Sequence, residues 1–244
     1  MDLSMIIPVW NERPKVVRDI RQAADFLVRN KLRGEILVVD DGSSDGTAQT
    51  ARSAGIPDSV RLEVIASSEH CGKGFAVKTG MLRAQGKIAL FIDSGSCVPH
   101  EDILTGMACI RSGRCEIAHG SRFLKESEIL KPQNPRRRIG SFLFRHFIRF
   151  YVNAPTHLTD TQCGLKLYRG ETARRLFSAC ETEGFMFDIE IILRAQEQGA
   201  RICEFPIHWS SDPDSRLCLS RALFSVFKEL YEIKKRMSSA GRIS

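Results

Sequence analysis

The sequence contains no uncharged apolar run of about 18 residues or more. Its most apolar stretch, Phe142 to Val152, is interrupted by Arg145, His146 and Arg149, so the chain is expected not to span a membrane, although it can lie on one. Met1 opens directly onto a strand-like run with no basic n-region or cleavable apolar core, so a secretory leader is not expected. The cysteines at 71, 97, 109, 115, 163, 180, 203 and 218 include no C-x-x-C pair, and His70, His100, His146 and His208 fall at no metal-ligand spacing. Eight reduced thiols in a cytosolic protein are therefore expected. The segment Cys71-Gly72-Lys73-Gly74 has the spacing of neither the dinucleotide fingerprint nor the P-loop. No internal repeat or low-complexity segment occurs.

What is present is ordinary globular composition: 244 residues, 43% hydrophobic and 27% charged, enough to bury a sizeable core. Disorder, collagen and coiled coil are excluded. Lys and Arg total 36 against 29 Asp and Glu, and the net charge of +7 suits an anionic partner, whether phosphate, membrane surface or nucleic acid.

Short apolar runs alternate with helical patterns through the first ninety or so residues, which predicts βαβ units and a parallel sheet. Strands are expected at Met5 to Val9, Glu35 to Val39, Arg61 to Ala66 and Lys87 to Ile92. Helices are expected at about Lys15 to Asn30, Thr47 to Ala54 and Lys73 to Ala84. Beyond Asp93 the pattern predicts a helix near Glu101 to Ser112, a strand Cys115 to His119 and a mobile loop from Lys125 to Arg138. An aromatic helix Gly140 to Val152, a strand Cys163 to Tyr168, a helix Phe187 to Gly199, a strand Arg201 to Ile207 and a final amphipathic helix Arg216 to Met237 follow.

Three of the expected parallel strands run into acidic or amide groups: Trp10-Asn11-Glu12 after Val9, Asp40-Asp41 after Val39, and Asp93 after Ile92. Ligands of open α/β sheets bind outside the carboxyl ends of the strands, so these groups should share one crevice. Gathered carboxylates repel unless a cation or hydrogen donors sit among them, and a metal or ribose hydroxyls would serve. Helix capping, as expected of Asp45, competes as an explanation for any single strand. Gly72-Lys73-Gly74 could offer backbone N–H groups and an ammonium to a phosphate, with a plain loop before a helix as the stronger competing reading, and His119, ending a strand at the same edge, could touch donor phosphates. Cys163 is expected to be a small buried side chain.

Ile7-Pro8-Val9-Trp10-Asn11-Glu12, Val38-Val39-Asp40-Asp41-Gly42-Ser43-Ser44-Asp45-Gly46-Thr47 and Gly72-Lys73-Gly74 resemble the nucleotide-sugar motifs of family-2 glycosyltransferases with the GT-A fold. His119-Gly120-Ser121-Arg122, the segment from Asp160 to Tyr168, Phe187-Asp188-Ile189-Glu190 and Glu204 to Trp209 resemble the dolichyl-phosphate β-glucosyltransferase and dolichyl-phosphate mannose synthase group, the glucosyltransferase branch more closely. The resemblance spans about residues 3 to 220. It implies an α/β GT-A domain, a Rossmann-like and mostly parallel sheet flanked by helices. A nucleotide-sugar half would cover about 1–120 and an acceptor half about 121–215, with a C-terminal amphipathic helix and tail at 216–244.

By that resemblance Pro8, Asn11, Glu12, Asp40, Asp41, Gly42 and Ser43, with Lys73, Gly74 and Asp93, would hold a UDP-sugar. Asp160, Gln162, Asp188 and Glu190 would face sugar and acceptor. Asp93 would coordinate Mg²⁺ or Mn²⁺, but the family's D-x-D motif reads Asp93-Ser94-Gly95 here, and the nearby Cys97 is a poor ligand for a hard cation. With only one carboxylate, Lys73 and Arg122 gain weight as substitutes for the cation's positive charge. Arg122, Arg138 and Arg216 are candidates for an acceptor phosphate. The basic, aromatic segment Arg136 to Val152, with Phe144, Phe147, Ile148 and Tyr151 at helical spacing, fits either an anionic membrane surface or the core. Leu219, Leu223, Phe227 and Leu230 suggest core or a homodimer contact.

The implied function is inverting transfer of a sugar, glucose foremost, from UDP-glucose to a polyprenyl or dolichyl phosphate by a peripheral protein on the cytoplasmic face of a membrane. Competing readings are mannosyl transfer from GDP-mannose, a hydroxyl acceptor, and a non-catalytic nucleotide-sugar-binding domain. Nucleic acid is not an expected partner, because no recognised module or aromatic platform accompanies the arginine run.

Overall fold

Leu3–Val9 (β1) and Gly34–Asp40 (β2) are buried along almost their whole length. That is why they read as continuous apolar runs, the signature of parallel strands covered on both faces. In this computed structural model, which describes residues 1–95, 97–132, 147–148, 150–152, 155, 157–211 and 219–239, both pair in parallel register, Val9 opposite Asp40. Helix α1 (Arg13–Arg29), with a proline in its first turn, joins them. Helix α2 (Thr47–Arg52) leads to β3 (Arg61–Ala66), and α3 (Lys73–Arg83) leads to β4 (Ile88–Ile92), which lies parallel to β1. The carboxyl ends of β1, β2 and β4 thus form one edge, as expected.

The second half departs from simple alternation. Helix α4 (Asp102–Arg111) precedes β5 (Ile117–Ser121) and β6 (Glu128–Lys131). Next come β7 (Leu165–Arg169), α5 (Gly170–Ala179), α6 (Phe187–Glu197), β8 (Ile202–Pro206), β9 (His208–Ser210) and α7 (Leu219–Ser239). The seven-stranded sheet has the order β3-β2-β1-β4-β7-β5-β8, with β7 antiparallel to both its neighbours and β5 parallel to β8.

Residues 128–131, expected within a mobile loop, instead pair with β9 as a separate two-stranded ribbon. All four are exposed, so no alternation of polar and apolar residues marked the strand. Helix α5 was not anticipated, although Ala173, Leu176 and Phe177 stand at i, i+3 and i+4 and are buried.

Alternation along β1 divides the core. Leu3, Met5, Ile7 and Val9 face α1 and α4, whereas Ile6 faces the layer of α3, α5 and α6. A third cluster joins Ile148 and Val152 to Met186, Ile189 and Leu193 and to Val226, Leu230, Ile233 and Met237 of α7. Leu230 is therefore core, as one of the two expectations for that face had it. The Glu229 carboxylate fastens α7 by accepting the Met186 N–H at 2.8 Å.

Cys115, just before β5, and Cys203 of β8 are joined as a disulfide across 88 residues, with Cα atoms 5.8 Å apart. This corrects the expectation of eight reduced thiols: strand pairing makes neighbours of two cysteines that no local spacing connects. Burial pushes the thiols of Cys163 and Cys180 up to about 12, which suits inert packing residues.

Candidate active site

On the donor side, acidic groups at the strand ends are turned onto nearby backbone. Asp40 accepts the Ser43 N–H at 3.0 Å and bonds the Ser43 hydroxyl. The buried Asp41 carboxylate accepts the N–H groups of Cys71 and Gly72, both at 2.8 Å, and faces His70 Nδ1 at 2.8 Å. Asn11, at φ +54°, donates its N–H to Ser43 Oγ at 2.7 Å and accepts the Ser44 N–H at 2.9 Å. Gly42, at φ +70°, lies flush against the backbone of Glu69 and His70, where a β-carbon would collide. The Trp10 indole stacks on His70, with centroids 4.2 Å apart. Pro8 pairs with Val39 in the sheet, Glu12 stands at the N-cap position of α1 with its carbonyl accepting the N–H groups of Lys15 and Val16, and Asp45 accepts the N–H of Thr47 at 3.0 Å.

Most backbone donors of the glycine-rich segment are engaged within the protein, as in the plain helix-entry loop that competed with a phosphate cradle. The N–H groups of Cys71 and Gly72 go to Asp41, while those of Gly74 and Phe75 go to the carbonyls of Gly184 at 3.2 Å and Glu183 at 3.0 Å. Gly74 is needed because carbonyls of residues 182 to 184 pack where a β-carbon would stand. What this segment offers the crevice is the ammonium of Lys73.

That ammonium lies 2.7 Å from Asp93 Oδ1. Asp93 follows β4, donates its N–H to the Gly164 carbonyl at 2.9 Å, and has Gly164 pressed against its carboxylate. Behind this pair the fully buried Lys166 of β7 reaches Asp188 Oδ1 at 2.6 Å and the Thr161 carbonyl at 2.9 Å. Both ammonium groups lie near the Phe91 ring, at 5.9 and 5.7 Å from its centroid. Burial opposes the charge of Lys73, but Asp93 and Asp188 outweigh it and raise its pKa above the ordinary value. Burial raises Asp188, and Lys166 and Lys73 offset that only in part.

Arg122, just beyond β5, grips Asp160 with two donors, Nε at 2.6 Å and Nη2 at 2.8 Å, and adds its backbone N–H at 3.1 Å. Its guanidinium stands 5.4 Å from the Trp209 centroid. Burial works to raise the Asp160 carboxyl, yet the hydrogen bond and charge of Arg122 hold it below its ordinary value.

Several expected roles change. Asp160 is wholly buried and committed to Arg122, so it organises the site instead of facing a sugar. Glu190 accepts the N–H groups of Glu181 and Thr182 and pairs with Arg194 at 2.6 Å; it clasps the loop that buttresses α3. The Gln162 side chain donates to the Thr161 carbonyl at 3.3 Å. His119 is fully buried beneath the sheet edge, and burial with the nearby Lys166 keeps it neutral, far below its ordinary pKa; it is no phosphate contact. Asp188, expected to face sugar and acceptor, pairs with the buried Lys166 behind the Lys73 and Asp93 pair. Arg138 and Arg216 lie outside the described residues, as do Phe144, Arg145 and Arg149.

Two organising residues were missed. Lys166 could have been noticed as a lysine inside the apolar run Leu165-Lys166-Leu167-Tyr168. Glu204 of β8 accepts the N–H groups of Thr159 and Asp160 at 2.8 and 2.7 Å, and only the long-range pairing of β5 with β8 gives it that place.

For a divalent cation the donor set is thin. Asp93 supplies one carboxylate, already on Lys73, and Gly95 has no side chain. Among the described residues no three His, Cys, Asp or Glu side chains converge on a point. Hard cations take about six or more oxygen ligands, so these residues do not fit a protein-built metal site.

Comparison with known proteins agrees with the geometry. The Mycobacterium tuberculosis glucosyl-3-phosphoglycerate synthase in complex with phosphoglyceric acid superposes with a TM-score of 0.71 at 17% identity, over 96% of this chain and 80% of that one. The same enzyme with Mn²⁺, UDP and phosphoglyceric acid gives 0.66 at 18% identity, over 94% and 78%. The architecture is the GT-A glycosyltransferase fold. A dolichyl-phosphate β-glucosyltransferase of Dictyostelium discoideum is 30% identical over 96% of this chain and 74% of its own length. Its namesake in Saccharomyces cerevisiae is 28% identical over 95% and 74%. The model of glycosyl transferase family 2 matches residues 4–177, and the chain belongs to that family.

Proposed function

We propose that this chain is an inverting glucosyltransferase that moves glucose from UDP-glucose to a polyprenyl phosphate at a membrane surface. The observation that carries the reading is its similarity, over nearly its whole length, to dolichyl-phosphate β-glucosyltransferases. The strand-end groups Pro8, Asn11, Glu12, Asp40, Asp41, Gly42 and Ser43 form the wall for base and ribose, with Lys73, Gly74 and Asp93 beside the diphosphate. In this reading Arg122, about a fifth exposed while gripping Asp160, meets the acceptor phosphate, and Gln162 and Asp188 serve the sugar side.

The chemistry needs little proton traffic. A phosphate monoester has a second pKa of about 6, so the attacking oxygen is already ionised at neutral pH and no general base is required. This suits a site whose carboxylates are engaged: Asp160 with Arg122, Asp188 with Lys166 and Asp93 with Lys73. Attack from the face opposite the leaving diphosphate inverts the anomeric carbon, and catalysis consists of positioning and charge stabilisation.

Among the described residues no helix is long and apolar enough to cross a membrane. The membrane contact is instead the aromatic surface of Phe147, Phe150, Phe227 and Tyr231, which are exposed by 38, 87, 46 and 61%. Phe147 packs edge-on to Phe227 at 5.3 Å, joining the segment around 150 to α7, and Lys234 lies 4.6 Å from the Tyr151 ring. Aromatic side chains with flanking lysines suit the cytoplasmic leaflet of a membrane. The test is mass spectrometry of lipid extracts after incubating the protein with a polyprenyl phosphate in detergent and either UDP-glucose or GDP-mannose. Polyprenyl-phosphate-glucose is the expected product; mannosyl product alone, or none from folded protein, overturns the reading.

A further inference from the structure

We propose that the Lys73 ammonium serves as the counter-charge of the leaving diphosphate in this chain, so that nucleotide binding and sugar transfer proceed without a divalent cation. The inference rests on the glucosyltransferase reading and deepens it.

Four features of the crevice converge on Lys73. It begins α3 at the carboxyl edge of the sheet, and its Nζ lies 2.7 Å from Asp93, where it can bridge that carboxylate to a diphosphate oxygen. The neighbouring backbone donors are spent, those of residues 71 and 72 on Asp41 and those of 74 and 75 on residues 184 and 183. Other carboxylates that could share a cation are committed elsewhere, Asp188 to Lys166 and Asp160 to Arg122. Finally, the turn after Asp93 is built around glycine. Gly95 sits at φ +100°, where a side chain is strained, and donates its N–H at 2.8 Å to Asp19, a buried carboxylate that also binds Arg18. The missing second carboxylate is therefore part of a formed turn, held from α1.

The step balances with this cation alone. The bond from the anomeric carbon to the diphosphate oxygen breaks, and its electron pair stays on that oxygen. The acceptor phosphate oxygen forms the new bond to carbon, and no proton changes place. UDP leaves with one more negative charge, which the ammonium meets from its place between Asp93 and the diphosphate.

The test is calorimetric titration of the full chain with UDP, in EDTA and in Mg²⁺, alongside Mn²⁺ electron paramagnetic resonance. UDP is expected to bind equally in EDTA and Mg²⁺, with no protein-dependent Mn²⁺ signal. Lys73→Ala should weaken UDP binding about tenfold or more in EDTA, while Lys73→Arg keeps most of it and both variants retain the parent's melting temperature. Binding of UDP only with Mg²⁺, or unweakened binding by Lys73→Ala, would overturn the role of Lys73 and leave the transferase standing. If neither UDP nor GDP binds under any condition, the transferase reading itself falls and this inference with it.

Discussion

The two sides of the crevice are held together by different means. On the donor side Asp40, Asp41 and Asn11 bind backbone N–H groups and hydroxyls of loops that begin at the strand ends. On the acceptor side the ties are ion pairs with buried members, Lys166 with Asp188 and Arg122 with Asp160. A loop tied by neutral N–H groups loses a bond at a time. A buried ion pair that loses one member leaves a charge with nowhere to go. The donor side should therefore tolerate substitution, and the acceptor side should fail sharply.

The largest effect is expected at Lys166, whose side chain is wholly buried. Lys166→Met strands Asp188 in the interior and should cost about 3–5 kcal/mol in urea denaturation. Adding Asp188→Leu should recover most of that loss. If the single variant costs no more than a donor-side change such as Asn11→Ala, the contrast between the two sides disappears.

Arg122→Ala should come next, reduced because the guanidinium keeps 19% of its surface open to solvent. Its pH dependence sharpens the comparison within the acceptor side. Asp160 is held below its ordinary pKa, so its contribution is present above the unfolded value and is lost as pH falls through the folded one. Asp188 is raised by burial, so its contribution is present below the unfolded value and is lost as pH rises through the folded one. Asp160→Asn should flatten the acid limb of the stability profile, and Asp188→Asn should not. Identical profiles would show that the two aspartates share one environment.

The same division decides how much could be read from the amino-acid order. β1, β2 and β4 are largely apolar and buried, with acidic groups at or just after their ends, so Asp40, Asp41 and Asp93 could be assigned to one edge from local pattern alone. In the second half the organising contacts are distant in sequence: Glu204 with residues 159 and 160, Lys166 with Asp188, and Cys115 with Cys203. Family resemblance places Asp160 and Glu190 at the sugar, whereas folding engages both with arginines and N–H groups. The exposed β6 carries no periodic signal that distinguishes it from a loop, and although a strand is expected at 163 to 168, the antiparallel direction of β7 is set by partners distant in sequence.

A smaller effect is expected where the halves meet, at Gly95. Gly95→Asp restores the family's acidic pair, but the φ of +100° makes any side chain costly, about 1–3 kcal/mol by thermal melting. The gained carboxylate should not raise Mn²⁺ affinity, because Lys73 stays on Asp93. A clear rise in Mn²⁺ binding with an unchanged melting temperature would mean that the turn readily abandons its bond to Asp19, and that the donor side is a metal site awaiting one residue.

The smallest change in stability belongs to the outermost aromatic residue. Phe150 is 87% exposed, so Phe150→Ser should shift stability by no more than about 0.5 kcal/mol. The same substitution should weaken sedimentation with vesicles of anionic phospholipid, since burying an aromatic side chain contributes about 1.5–3 kcal/mol. The paired outcome matters more than either half. Lost vesicle binding with unchanged stability marks the exposed aromatic surface of Phe147, Phe150 and Phe227 as the membrane contact. Unchanged vesicle binding would detach that aromatic surface from the acceptor and leave the ion-paired side of the crevice to recognise the phosphate alone.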